Sequence, residues 1–193
     1  MTREVLPKDT VELALFLLGH LVVRVLPEGV VGGRVVETEA YPPGDPAAHA
    51  YRRMTVRNQS LFLDRGYAYV YRAYGVSFML NVASEKAGQG AGILIRAVEP
   101  EFGSRIMQQN RGVAEERDVT RGPGRLATAL AIDRSLDGCD LCAPGPLYLS
   151  PGVRPVGAIG VSSRIGITRA VDAPWRFYLR GNRFVSGSRR LNE

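Results

Sequence analysis

Residues 30–41 read Val30-Val31-Gly32-Gly33-Arg34-Val35-Val36-Glu37-Thr38-Glu39-Ala40-Tyr41. Such a β-branched run, with period-two alternation in its second half, predicts a strand. Alternation places Glu37, Glu39 and Tyr41 on one face and Val36, Thr38 and Ala40 on the other, toward a core. Immediately upstream, Leu21–Leu26 reads as a second strand, and Pro27-Glu28-Gly29 as the turn that joins the two. Before them, Asp9 caps a helix that runs to Gly19, with Glu12 three residues after the cap. Helix, hairpin and a long returning strand set the class: α+β, with mostly antiparallel pairing.

Working outward, Pro42-Pro43-Gly44-Asp45-Pro46 opens a long loop. Tyr67–Tyr71, Ser77–Ala83 and Ile93–Val98 read as strands, and Val156–Val161 and Trp175–Leu179 as later ones. Pro100–Asn110 and Pro123–Ile132 read as short helices, the second opened by Gly122-Pro123-Gly124, and Gly138–Gly152 as loop. With no repeat or linker in its 193 residues, the chain is expected to be one domain, 1–193, a curved antiparallel sheet flanked by short helices.

The composition excludes disorder and fibre, at 45% hydrophobic and 23% charged. Lys8 and Lys86 are the only lysines among 25 basic residues, and the net charge is +6. From Arg164 to Arg190 there are seven arginines and one acid, Asp172. Planar guanidinium forks suit phosphates, so a polyanion is the first partner to consider, against a merely soluble basic surface. The apolar stretch 11–25 carries Glu12, His20 and Arg24, which excludes a membrane span; a cytoplasmic location is the expectation. Cys139 and Cys142 form a lone C-x-x-C without the further ligands of a zinc site, and read as inert thiols.

Two carboxylates on one strand face beside an aromatic can form a general-base site, or can be solvated edge charges. The run Tyr67-Ala68-Tyr69-Val70-Tyr71-Arg72-Ala73-Tyr74 puts Tyr67, Tyr69 and Tyr71 on one face. These can be half-buried strand tyrosines or a platform on which bases stack. Arg52, Arg53, Arg57, Arg65 and Arg72 surround them, and interleaved arginine and tyrosine favour nucleic acid.

Val36-Glu37-Thr38-Glu39-Ala40-Tyr41, Ala47-Ala48-His49, Arg57-Asn58, Tyr69-Val70-Tyr71-Arg72-Ala73-Tyr74-Gly75 and Asn81 occur in that order. They are followed by Leu94-Ile95-Arg96-Ala97-Val98-Glu99-Pro100, Gly122-Pro123-Gly124-Arg125-Leu126 and Arg176-Phe177-Tyr178-Leu179-Arg180-Gly181. The ordered series resembles the alkyladenine (3-methyladenine) DNA glycosylase family over nearly the whole chain.

The resemblance implies that Glu39 activates the attacking water and that Arg96 helps hold that water and a nearby phosphate. It implies that Tyr41, His49 and Tyr71 sandwich a flipped base, that Asn81 obstructs the guanine 2-amino group, and that Leu94 belongs to the same site. Ile165 and Gly166 match backbone contacts near the lesion. Tyr74 matches the side chain that fills the vacated stack, with Leu61 as its apolar neighbour, and Arg57 and Arg125 fit phosphate contacts. No metal or cofactor is implied. The expected substrate is damaged double-stranded DNA, acted on by a monomer. Two other classes remain open: a metal-dependent nuclease or phosphoesterase using Glu37, Glu39, Asp45 and Asp64, and a non-catalytic nucleic-acid-binding module.

Overall fold

The computed structural model describes residues 1–73, 75–152 and 154–188. Its strands are β1 (Leu21–Leu26), β2 (Gly29–Tyr41), β3 (Ala68–Ala73), β4 (Ser77–Ala83), β5 (Gly92–Phe102), β6 (Leu147–Ser150), β7 (Ile159–Ser162) and β8 (Arg176–Leu179). The α-helices are α1 (Thr10–Leu17), α2 (Ser104–Arg111) and α3 (Pro123–Ala129). The sheet runs β3-β4-β5-β2-β1-β6, and every pairing in it is antiparallel.

The sheet branches at β2. β5 lies along one side of β2 from Gly32 to Tyr41. On the other side β1 pairs with Gly29–Arg34, and β8 takes over at Glu37, Thr38 and Glu39. Register shifts near Val35 and Glu37 bend the strand where one neighbour replaces the other. The glutamates therefore sit in the sheet interior, and both are 0% exposed. This rules out solvated edge charges. The inward-and-outward alternation expected of β2 also fails, because both of its faces are covered.

α1 covers one face. Asp9 Oδ1 accepts from the amides of Val11 and Glu12, and the cap orients a helix of eight residues that is too short to be stable alone. Leu13, Ala14 and Leu17 are buried against the sheet, and the Ala14 carbonyl accepts from Thr38 Oγ1 at 3.0 Å. Burial of a leucine such as Leu13 contributes about 1.5–3 kcal/mol.

Other departures from the sequence reading have local causes. β5 continues to Phe102 and the helix waits until Ser104, because Pro100 and Phe102 pair with Gly33 and Gly32 across an irregular register. Such an irregularity is where a strand tolerates proline. Gly103, at φ 70°, turns the chain into α2. Within the expected loop 138–152, Leu147 and Leu149 are buried and form β6 beside β1. Four residues give too little pattern to read. β7 starts at Ile159 rather than Val156, and α3 stops at Ala129. Tyr67 precedes β3 and lies under the Arg3 guanidinium, apart from the Tyr69–Tyr71 stack. Cys139 and Cys142 are both free, and burial raises both thiols, Cys139 to about 11.

Candidate active site

A cavity of about 530 Å³ opens where β2, β3, β4 and β5 meet the 42–50 and 164–169 loops. Tyr41, His49, Tyr71, Asn81, Leu94, Arg96, Ile165 and Gly166 all line it. The alternating strands explain the convergence. Asn81 on β4 lies opposite Tyr69 on β3 and Leu94 on β5, so one row of the sheet supplies three adjacent wall positions. Asn81 Nδ2 donates to the Tyr69 carbonyl at 3.2 Å, which fixes the amide's orientation.

Glu39 lies one layer beneath the floor. Its Oε1 accepts from the Ile165 amide at 2.7 Å and pairs with Arg96 Nη1 at 3.1 Å, and its Oε2 accepts from the Tyr41 hydroxyl at 2.9 Å. These three neighbours are themselves cavity-lining residues. Burial, and then the Glu39 charge, push the Tyr41 phenol well above its ordinary value, so it donates as the protonated form.

Arg96, 6% exposed, joins the two glutamates, with Nε 2.8 Å from Glu37 Oε1. Arg176, 0% exposed, donates its Nε to the same oxygen at 2.7 Å. The Ser186 amide donates to Glu37 Oε2 at 2.6 Å and its hydroxyl to Glu37 Oε1 at 2.8 Å. Burial alone would raise the Glu37 carboxyl, but the Arg96 and Arg176 guanidiniums outweigh it and hold the pKa below the ordinary carboxylate range. Two carboxylates and two guanidiniums thus balance in the interior, with the other polar groups bonded to them, the condition under which buried charge is tolerated.

The walls are aromatic. Tyr69 and Tyr71 stack at 5.3 Å between centroids, and the His49 ring meets Tyr71 edge-on at 4.4 Å. His49 Nδ1 is 3.0 Å from the Tyr69 hydroxyl. Burial, and secondarily the Arg57 charge, lower the His49 pKa, so the ring is neutral at physiological pH. Tyr41 is backed by Arg164, whose guanidinium carbon stands 4.5 Å from its ring centroid and 5.0 Å from that of Trp175. Arg164 is fixed in turn by Asp45 and by the Ala40 carbonyl.

The remaining expected residues are placed differently. Leu61 is buried, 5% exposed, against Ala50 and Tyr69, and is a wall side chain of the cavity. Arg57 lines a second, adjoining cavity. Arg125 stands outside both and is ion-paired with Asp118 at 3.0 Å, while Pro123 of the same short helix reaches the first. Tyr74 lies outside the described residues. Arg164, Arg176 and Ser186 were not singled out as site residues from sequence. Arg176 opens the quoted motif Arg176-Phe177-Tyr178, Arg164 immediately precedes Ile165, and both belong to an arginine excess that the interior partly absorbs; Ser186 carried no signal.

The carboxylates proposed for a metal site do not converge. Glu37, Glu39 and Asp45 each face a guanidinium, and Asp64 Oδ1 accepts from the Arg65 amide. Among the described residues no three His, Cys, Asp or Glu side chains gather as metal ligands.

Residues 4–183 match the family model described as methylpurine-DNA glycosylase (MPG). The chain is 61% identical over its full length to a protein of Mesorhizobium japonicum named a 3-methyladenine DNA glycosylase, 93% of which is covered. It is 46% identical over 191 residues to a protein of the same name from Paraburkholderia phytofirmans, 99% of the chain and 90% of that protein being aligned. A third such protein, from Rubrobacter xylanophilus, is 45% identical, with 91% of the chain and 92% of the relative covered.

Proposed function

From the premise that the chain belongs to the methylpurine-DNA glycosylase family, we propose that it excises alkylated and deaminated purines from damaged duplex DNA, with Glu39 activating the water. The observation that carries the reading is the buried Glu39 carboxylate, set by Arg96, Ile165 and Tyr41 directly beneath an aromatic cavity.

Extruding a nucleotide costs a few kcal/mol of unstacking. The cavity offsets part of this by taking the base between Tyr41 on one side and His49 and Tyr71 on the other. A cationic alkylated purine gains about 0.5–2 kcal/mol over electron-rich rings, so a lesion is favoured over a neutral base without contact to the alkyl group. A neutral His49 adds no repulsion to that cation. As the glycosidic bond breaks, its electron pair neutralises a cationic alkylated purine, or leaves with a deaminated base that is protonated to depart as the neutral molecule. The sugar gains oxocarbenium character, which the Glu39 charge stabilises. Water held beside Glu39 and Arg96 adds to C1′, and its proton passes to Glu39. The products are free base and an abasic site.

A lyase step needs a deprotonated amine. Lys8 and Lys86 are both exposed and neither lines the cavity, which supports a monofunctional enzyme. No helix among the described residues is long and apolar enough to cross a membrane. We propose that a monomer meets DNA in the cytoplasm.

The test is base release in EDTA from duplexes bearing 3-methyladenine, 7-methylguanine, hypoxanthine or etheno-adenine, with borohydride present in a parallel reaction. Free base, intact abasic strand and no trapped adduct are expected. A metal-dependent nick, or binding without release from any lesion, would overturn the reading.

A further inference from the structure

We propose that Asp45 decides how the base cavity treats charge. Its carboxylate cancels the Arg164 guanidinium behind Tyr41, and so lets the cavity prefer a cationic purine to a neutral one of the same shape. The inference rests on the glycosylase reading and deepens it at the substrate class. Asp45 is a positioning residue, because it reaches the base only through Arg164 and Tyr41.

Tyr41 lines the cavity and Arg164 does not, so the Tyr41 ring separates that guanidinium from an occupant. The guanidinium carbon stands over the ring, 4.5 Å from its centroid. A purine stacked on the cavity side at a contact distance of about 3.5 Å would lie about 8 Å from the guanidinium. Over that interval, in an interior poor in water, two like charges repel. An uncompensated Arg164 would also draw on the ring electrons that a cationic base needs. Alone, it would set this wall against the substrate that the other rings favour.

Asp45 removes the conflict. Both of its oxygens face the fork: Oδ2 accepts from Arg164 Nη1, and Oδ1 from Nη2 at 3.1 Å. Neither side chain is exposed, so salt screens the pair little. The carboxylate is delivered by its own turn. Oδ1 also accepts from the Ala47 amide at 3.0 Å, and the Asp45 carbonyl accepts from the Ala48 amide at 2.9 Å.

The other bonds of Arg164 do not call for a charge. Nη1 donates to the Ala40 carbonyl at 3.0 Å and Nη2 to the Ala170 carbonyl at 3.4 Å, which a neutral amide would also satisfy. What Asp45 answers is the positive charge itself. With it the buried charges beneath and behind the cavity balance: Glu37, Glu39 and Asp45 against Arg96, Arg164 and Arg176.

Two isosteric probes separate charge from shape. One duplex carries 7-methyladenine on a 2′-fluoroarabino sugar, a cation whose glycosidic bond resists cleavage. The other carries neutral 7-methyl-7-deazaadenine on the same sugar. The readout is the ratio of their dissociation constants at neutral pH, and wild type should favour the cation. Asp45→Asn keeps the size of the side chain and strips its charge; it should erode that preference about tenfold, the order of a cation–π contact. Asp45→Glu should keep the preference even where both affinities fall. Asp45→Asn combined with Arg164→Gln removes both charges and should return the ratio to that of wild type, although the ion pair is gone. Equal losses on both probes, with the double variant no better than the single, would make the pair purely structural and overturn the proposal. If Asp45→Asn does not fold, Arg164→Gln decides: without the cation behind Tyr41 the ratio should move further toward the cationic probe, and an unchanged or opposite ratio overturns the proposal. A wild type indifferent to the charge of the probe overturns it as well. Base release from a hypoxanthine duplex is measured alongside. Its absence in wild type rejects the glycosylase reading, whereas release with a ratio that Asp45→Asn leaves unaltered rejects the role of Asp45 alone.

Discussion

The backbone amide of Ile165 donates to Glu39 Oε1 at 2.7 Å, joining residues 126 positions apart in the chain. The bond brings the 164–169 loop over the end of β2 and makes one residue both a carboxylate donor and a cavity wall. It also makes Glu39 the glutamate nearer the cavity, while Glu37 is enclosed by Arg96, Arg176 and Ser186.

Glu39→Gln should lower single-turnover base release by about 10²–10⁴-fold, the usual loss for a missing general base. Lesion-duplex binding should persist in a gel-shift assay, because the amide keeps the shape and an acceptor for Ile165. Glu37→Gln should cost much less in release; the reverse ranking would exchange the roles of the pair.

Glu37→Ala should instead act on stability. Removing one member of a buried ion pair costs about 3–5 kcal/mol because the partner charge is left uncompensated. Urea denaturation of Glu37→Ala should show this loss, against little change for Arg125→Ala, whose pair with Asp118 is half exposed.

The same carboxyl governs acid stability. Glu37 has a lower pKa folded than unfolded, so its contribution is present above the unfolded value, about 4.3, and is lost as pH falls through the folded one. Stability of the wild-type protein should therefore fall steeply below about pH 4.3, and Glu37→Gln should show a shallower fall. Parallel curves would mean that Glu37 does not titrate with unfolding.

His49 should titrate below the ordinary histidine value in the wild-type protein and move upward in Arg57→Ala, since burial remains while the secondary, like-charge cause is removed. Ring resonances followed by NMR across pH report the shift directly. A downward move would contradict the assigned cause.

Asp137 and Arg134 take the place of a strand beside β3, the end of the sheet. Asp137 Oδ1 accepts from the Val70 amide at 2.8 Å, and Arg134 Nη1 donates to the Val70 carbonyl at 2.6 Å. Asp137→Ala should cost about 1–3 kcal/mol, the penalty for an unsatisfied buried amide. It should also weaken lesion binding more than it slows release at saturation, because Tyr69 and Tyr71 stand on either side of Val70. Equal effects on both would make Asp137 a purely structural residue.

Much of the site was legible because it is carried by short strands. The period of β2 put Glu37, Glu39 and Tyr41 together, and Tyr69, Tyr71, Asn81, Leu94 and Arg96 came with the ordered motifs of β3, β4 and β5. Loop residues were placed less securely. His49, Leu61 and Ile165 reach the cavity, but Arg125 is held by Asp118 outside it.

The sequence by itself determined the α+β class, the first hairpin and the family, since apolar period, turn residues and motif order are local properties. The tertiary structure alone decided which charges are interior. β8 replaces β1 beside Glu37, and that exchange encloses both glutamates; Arg164 and Arg176 then leave the basic surface to meet Asp45 and Glu37. An arginine contributes the same charge to a sequence whether its partner is a buried carboxylate or a phosphate. Pairings across more than a hundred residues depend on packing, and no local period encodes them.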